Sequence, residues 1–284
     1  MRRGLLILLY SVTLAGIAAA YWHGRDYYSL PLIERPHHPL HWELKPGGEV
    51  AQLYGIAGLS AMVLMLSYSV RKRLPLLRRA GRVGTWLDVH IYFGIAGPLL
   101  IVLHSAFKVG GLIAIAFWSM VAVATSGIVG RFLYAQIPRT AAGDQLTLDE
   151  AQRLDAELTG RLRAEFGFSD AELARLDAEE AGEDAPHSLA GELAGLMLGP
   201  LAARRRFARF RRSSPPLPRG LATRLGRLVR HREMLRRRLR VWRRLHELFH
   251  YWHVFHKPFA VLMYLFASIH VGVAWATGYV LWAR

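Results

Sequence analysis

The chain has 284 residues, a formal net charge of +16 and no cysteine. The missing cysteine excludes disulfides, thiolate-held iron–sulfur clusters and haem attached through a C-x-x-C-H motif. The excess charge lies between apolar runs, the pattern of arginine-rich cytoplasmic connections in a membrane protein, so lipid and not nucleic acid is the expected partner.

Residues 5–20, 50–70, 86–107, 111–135 and 258–282 are strongly apolar, and residues 136–249 are almost all polar or charged. Runs of about 20 apolar residues are long enough to cross the hydrocarbon core as helices. The expected fold is therefore all-α, an integral membrane protein with five transmembrane helices and a helical cytoplasmic insertion. Its expected parts are residues 1–20, a first transmembrane helix or a signal peptide; 21–49, an outer loop; 50–135, three further spans; 136–249, the insertion; and 250–284, the last span. Arg2 with Arg3, the six basic residues of 71–82, and the long insertion supply the Lys/Arg bias. That bias puts the N-terminus and 136–249 in the cytoplasm, and the 21–49 loop and the C-terminus in the periplasm of a bacterial inner membrane.

Thr85 with Asp88 matches a capping box opening the third span, which is expected to run through His104 and stop at Gly110 and Gly111. In the insertion, residues 144–184 carry 13 acidic and 4 basic residues, and 187–249 carry 3 acidic and 17 basic. Thr147 with Glu150, and Ser169 with Glu172, match capping boxes opening two short helices. Ser213-Ser214-Pro215-Pro216 marks a break. After it, Leu221, Leu225, Leu228, Leu235, Leu239, Trp242 and Phe249 follow a 4–3 spacing, which predicts one long helix feeding directly into the last span. An acidic helical pair folded on a basic helix is the plain expectation, and a docking surface for a soluble partner or anionic lipid the sharper one. Pro258 is expected in the first turn of the last span or at a bend within it.

The last span and the third carry histidines at one spacing: His90 and His104 are 14 residues apart, as are His256 and His270. Fourteen residues is nearly four turns, so each pair lies on one helix face about 21 Å apart. Ionisable groups in membrane segments are usually functional. The third and fifth spans run parallel, so His90 falls level with His256 and His104 with His270. Two haem irons, each needing two axial ligands from opposite sides, would be satisfied at once. His246, His250 and His253 do not match the partner helix in this way. Gly55, Gly58, Gly94, Gly97, Gly127, Gly130 and Gly272 permit close backbone approach, Gly97 and Gly130 being candidates for cofactor contact and helix packing the plainer role for all of them. Arg82, Arg131 and Lys257 at the cytoplasmic edge, and Lys108 at the outer edge, are candidates for haem propionates or simple interfacial anchors.

The segments Asp88-Val89-His90 through His104-Ser105-Ala106-Phe107, and His253-Val254-Phe255-His256-Lys257-Pro258 through His270-Val271-Gly272, resemble the two ligand helices of di-haem membrane b-type cytochromes. That group includes the cytochrome b of quinol:cytochrome c reductases and the ferric reductase/NADPH oxidase-like transmembrane domain. The resemblance covers residues 50–135 and 250–282. It implies a four-helix bundle holding two non-covalent haems b, with His90, His256, His104 and His270 as axial ligands. A Pro-Glu-Trp-Tyr segment is absent from the sequence, and a flavin or nicotinamide domain after the last span is not expected. The resemblance is nearest to a stand-alone bacterial subunit.

The expected function is transmembrane electron transfer, as a subunit of an oxidoreductase complex more than as a self-sufficient enzyme. Separate redox proteins (a flavoprotein, an iron–sulfur protein or a cytochrome c) would be its partners. A quinone-reactive or ferric-reductase-type subunit is the first alternative. For it, quinone is the added cofactor, with His37, His38, His41, Glu43 and Asp88 as candidate edge residues; the histidines among them are also a candidate metal site. A non-redox metal or proton transporter or membrane scaffold is the second.

Overall fold

A computed structural model describes residues 3–137, 146–175, 189–213 and 218–279. The chain is an all-α integral membrane protein, with no strand among the described residues and five helical stretches long and apolar enough to span a bilayer. We label the long helices α1 (Arg3–His23), α2 (Glu49–Met65), α3 (Val83–His104), α4 (Ile113–Gln136), α5 (Leu148–Phe166), α6 (Leu189–Ser213), α7 (Arg219–Arg240) and α8 (Trp242–Ala276). The chain divides into two compact units, residues 1–129 with 252–284, and residues 130–251.

In the first unit, α2 and α3 pack closely because both present glycine at the crossing. A Cβ on Gly58 would lie 3.0 Å from the Gly97 carbonyl oxygen, and one on Gly97 would lie 2.8 Å from Met62 Cγ. Small residues let membrane helices approach in this way, since packing rather than the hydrophobic effect joins them. Tyr264 of α8 donates its hydroxyl to the Met62 carbonyl. Met62, Met120 and Met263 are buried together, joining α2, α4 and α8. Thr13 of α1 and Tyr92 of α3 share a 2.6 Å hydroxyl contact.

The ends of these helices differ from the sequence expectation. The second span breaks at Leu66, and a separate helix, Ser67–Arg73, follows. Helix α3 begins at Val83 with Arg82 as N-cap and no side-chain cap, so Thr85 and Asp88 form no capping box. The preceding turn is held differently: Trp86 Nε1 donates to the Ala80 carbonyl (2.6 Å) and buried Arg71 donates Nη2 to Gly81 (2.7 Å). Helix α3 stops at His104, ahead of Gly110, because Ala106 and Phe107 turn left-handed (φ 47° and 60°). Two successive left-handed non-glycine residues are costly. Arg35, only 7% exposed, holds them by donating Nη1 to the Ala106 carbonyl (2.6 Å), while its other nitrogens donate to Tyr28 (2.8 Å) and Leu30 (3.0 Å). The 21–49 connection thus contains short helices, and Tyr27, Tyr28 and Leu44 form one buried cluster with Leu103 and Ala106. Burial pushes the Tyr28 phenol up to about 12.

Helix α8 begins at Trp242 and ends at Ala276, with Pro258 well inside it. At about 1.5 Å per residue it exceeds the roughly 30 Å hydrocarbon core by a wide margin. It is not continuous with α7: Val241 leaves helical geometry between them (φ −97°, ψ 9°).

In the second unit, α5 lies against α7. Ala151, Leu158, Leu162, Phe168 and Leu173 bury against Leu225, Leu228, Val229 and Leu235, with Leu239 and Trp242 at the margin. Leu221, at the start of the expected seam, is 38% exposed. Phe249 stacks on Tyr134 instead (6.3 Å between ring centres). Both bonds of the Thr147–Glu150 capping box are present. Ser169 and Glu172 make the same reciprocal pair ahead of a helix at residues 170–175. Acidic α5 and basic α7 are also joined by charge, Arg236 reaching both oxygens of Asp155 at 3.1 Å, while Arg232 donates to Thr159 Oγ1 at 2.9 Å. Ser213 ends α6, and the rest of the Ser-Ser-Pro-Pro break lies outside the described residues.

Candidate functional site

Helix α3 carries His90 and His104, and α8 carries His256 and His270, each pair on one unbroken helix. The structure brings His104 and His270 together, with ring centres 6.3 Å apart and ring planes crossed at 62°. A metal–imidazole nitrogen distance is about 2.0 Å, and that nitrogen is about 1.1 Å from its ring centre. Two imidazoles on opposite sides of one metal therefore have centres roughly 6.2 Å apart.

Three of the four imidazoles are fixed by bonds to a neighbouring helix. His104 Nδ1 lies 2.8 Å from the Ala51 carbonyl oxygen, and His90 Nδ1 lies 2.9 Å from that of Met65. A carbonyl only accepts, so each Nδ1 carries the proton and each Nε2 keeps its lone pair. His256 Nδ1 lies 2.7 Å from Ser126 Oγ. The Ser126 hydroxyl already donates to the Val123 carbonyl (2.9 Å), so it accepts from His256. All three Nε2 atoms are left free to bind a metal, the arrangement in which a second partner fixes tautomer and ring orientation.

The His104 and His270 rings open on a cavity of about 630 Å³. Its volume is in the range of organic ligand sites. Ile56, Leu59, Met62, Ile101, Phe117 and Met263 are among the apolar residues of its wall, and Gln52, Ser105 and Lys108 among the polar ones. Gln52 Nε2 is already committed to the Gly47 and Tyr279 carbonyls (3.1 and 2.6 Å), and exposed Lys108 places a cation at the cavity among the described residues.

At the other level, His90 lies on α3 and His256 on α8. The Tyr68 ring centre is 5.4 Å from that of His90, and that of Trp252 is 4.9 Å from His256. Trp252 also donates Nε1 to the Ser126 carbonyl at 2.7 Å, tying α8 to the residue that orients His256. The His253 ring centre lies 4.5 Å from that of Trp252.

The glycines divide by neighbour. A Cβ on Gly55 would lie 2.7 Å from His104 Nδ1, and one on Gly127 would lie 4.0 Å from His256 Cε1. Gly97 meets α2 at Met62 and Gly58, so the room it leaves is filled by helix packing. Gly130 is buried in α4. Arg82, Arg131, Lys108 and Lys257 are all exposed, and Arg82 serves α3 through its backbone as N-cap.

In the 21–49 connection, Tyr27 stands between two of the loop histidines: its hydroxyl is 3.3 Å from His41 Nδ1, and its ring is 5.6 Å from that of His38. His38 Nδ1 accepts the Leu40 backbone N–H (3.1 Å). Among the described residues, no three or more of His, Asp and Glu gather to hold one metal ion. Ala51, Met65 and Ser126 were not foreseen. Two act through carbonyl oxygens, which carry no residue-type signal. Ser126 is a single hydroxyl in an apolar span, readable only once its neighbour is known. No family model, curated protein or solved structure matches the chain.

Proposed function

We propose that this chain passes electrons across a membrane through two bis-histidine haems b, one between His104 and His270 and the other between His90 and His256. The observation that carries this reading is the 6.3 Å separation of the His104 and His270 rings beside a cavity of about 630 Å³. It is supported at the second level by the Nδ1 bonds of His90 and His256, which leave Nε2 for a metal on both rings. A haem at each level supplies one-electron redox chemistry. The protein's own work is to bind and orient: Ala51, Met65 and Ser126 hold the ligand tautomers, and Met62, Met120, Met263 and Phe117 give the cavity at the His104 level an apolar lining. Two histidines at each level would leave a bound haem iron no open site for oxygen. The two centres, about 21 Å apart along the helices, give an electron a path between the membrane faces.

The Lys/Arg bias puts the His90 level, the N-terminus and residues 136–249 on the cytoplasmic side of a bacterial inner membrane, and the His104 level and C-terminus on the periplasmic side. The partners in this reading are a cytoplasmic redox protein or quinone at one face and a periplasmic donor or acceptor at the other, with the chain as a subunit of a complex. A single-ion transport path would need its histidines to converge. In this reading they form two levels about four turns apart along the helices.

A reduced-minus-oxidised spectrum of the protein purified from haem-replete cells tests the reading. It should show a b-type signal with two haems per chain, and His104→Leu or His270→Leu should each remove about half of it. Absence of any b-type signal would overturn the reading. Loss of both haems, or of neither, in the two variants would overturn the pairing.

A further inference from the structure

The second unit carries an apolar surface unlike the rest of its exterior. Along α6, Met197, Leu198 and Leu201 are 64%, 59% and 54% exposed. They share one helical stripe with exposed Arg204 and Arg205, since the spacings run three and four residues apart. The opposite face of α6 is occupied. Ala203 is buried, a Cβ on Gly199 would touch the Arg237 side chain, and the Phe207 ring fills the space that a Cβ on Gly226 would need. The exposed stripe is therefore not a core face turned the wrong way. Packing against α7 uses the other side and leaves this one outward.

We propose that this stripe is a membrane-surface anchor, its apolar half inserting at the interface of an anionic leaflet and its arginines meeting the lipid phosphates. Charge selects that occupant. Six arginines fall within residues 204–212, and no acidic residue occurs between Glu192 and Glu233. A basic helix end beside large exposed apolar side chains is the composition of helices that lie in the headgroup plane. Proximity does the rest. The same chain has five membrane-spanning stretches, so a bilayer surface is always present at the effective concentration of a tethered partner. An apolar patch too small to recruit a soluble protein to lipid is then sufficient. Each arginine near an anionic surface is expected to strengthen attachment about fivefold. The anchor depends on the spans and not on the haem reading.

The absence of cysteine makes the test direct. Met197→Cys in the full chain is labelled with an environment-sensitive fluorophore and placed in nanodiscs containing brominated lipid, either zwitterionic or with phosphatidylglycerol added. Leu198→Cys serves as a second probe position, and Glu157→Cys on exposed α5 as the control. The probes at 197 and 198 should be quenched in anionic discs and less so in zwitterionic ones. Arg204→Glu with Arg205→Glu should abolish that quenching, and the probe at 157 should stay unquenched throughout. Unquenched probes at 197 and 198 in anionic discs would overturn the proposal, as would quenching indifferent to lipid charge and to the arginine variants.

Discussion

Gly55→Ala should release the haem of the His104 level and spare the other. The added Cβ would stand 2.7 Å from His104 Nδ1 and 3.0 Å from Cγ and Cε1 of the same ring. Ordinary contact begins at 3.4 Å, so the imidazole must retreat by about 0.7 Å. The Ala51 carbonyl lies one helical turn before Gly55 on the same helix, so that retreat also stretches the 2.8 Å His104 bond toward about 3.5 Å, outside the hydrogen-bond range. The His104 Nδ1–H loses its acceptor, a bond worth about 0.5–1.5 kcal/mol. The ring also leaves the position facing His270. Loss of an outer-sphere partner to a metal-bound histidine typically weakens metal affinity about 10- to 100-fold. Haem per chain, measured as the pyridine haemochrome, should fall toward one, with the surviving spectrum matching that of His270→Leu. Gly127→Ala is the internal control. Its Cβ would lie 4.0 Å from His256 Cε1, an ordinary contact, and both haems should remain. Full retention of both haems in Gly55→Ala at limiting haem would refute the reasoning, as would equal loss in Gly127→Ala.

Two further outcomes follow from the same geometry. Ser126→Ala removes the acceptor of His256 Nδ1, so the centre at the His90 level should weaken about 10- to 100-fold while the other is unchanged; this is read from the haem retained during dilution, by the difference spectrum. In the second unit, the Glu150 carboxyl is held below the usual range by the Thr147 backbone N–H and then by its hydroxyl, and Glu172 likewise by Ser169. Their folded pKa values lie below the unfolded ones, so this contribution is present above the ordinary glutamate pKa of about 4.3 and is lost as pH falls through the folded values. Hydrogen exchange at the Thr147 and Glu150 amides, corrected for intrinsic rate, should accelerate on acidification in the native chain and be already fast in Glu150→Ala; equal protection in that variant would contradict the capping account.

Much of the architecture could be read from local pattern. The apolar runs became the five spans, and Thr147 with Glu150 formed both expected bonds because a capping box is closed by residues three apart. The errors fell where a distant group outcompeted the local signal. Thr85 and Asp88 have the right spacing for a cap, yet Arg71 and Trp86 brace the preceding turn and the helix starts earlier. Gly110 and Gly111 look like the stop for α3, yet buried Arg35 stabilises left-handed Ala106 and Phe107, and the helix ends at His104 itself. An arginine in a loop rich in proline and histidine gives no hint that it will be buried against a backbone 71 residues away.

The sequence by itself determined the class of the protein and the equal spacing of its histidines, because helix rise and hydrophobic length are properties of single segments. Only the tertiary structure decided what Nδ1 of His90, His104 and His256 bonds to. The acceptors Ala51, Met65 and Ser126 stand on other helices, and two of them act through the carbonyl that every residue carries. The same holds for the outward stripe of α6. Its leucines and methionine read as core in any linear pattern, and it took the packing of Ala203 and Phe207 against α7 to show which face was left outward.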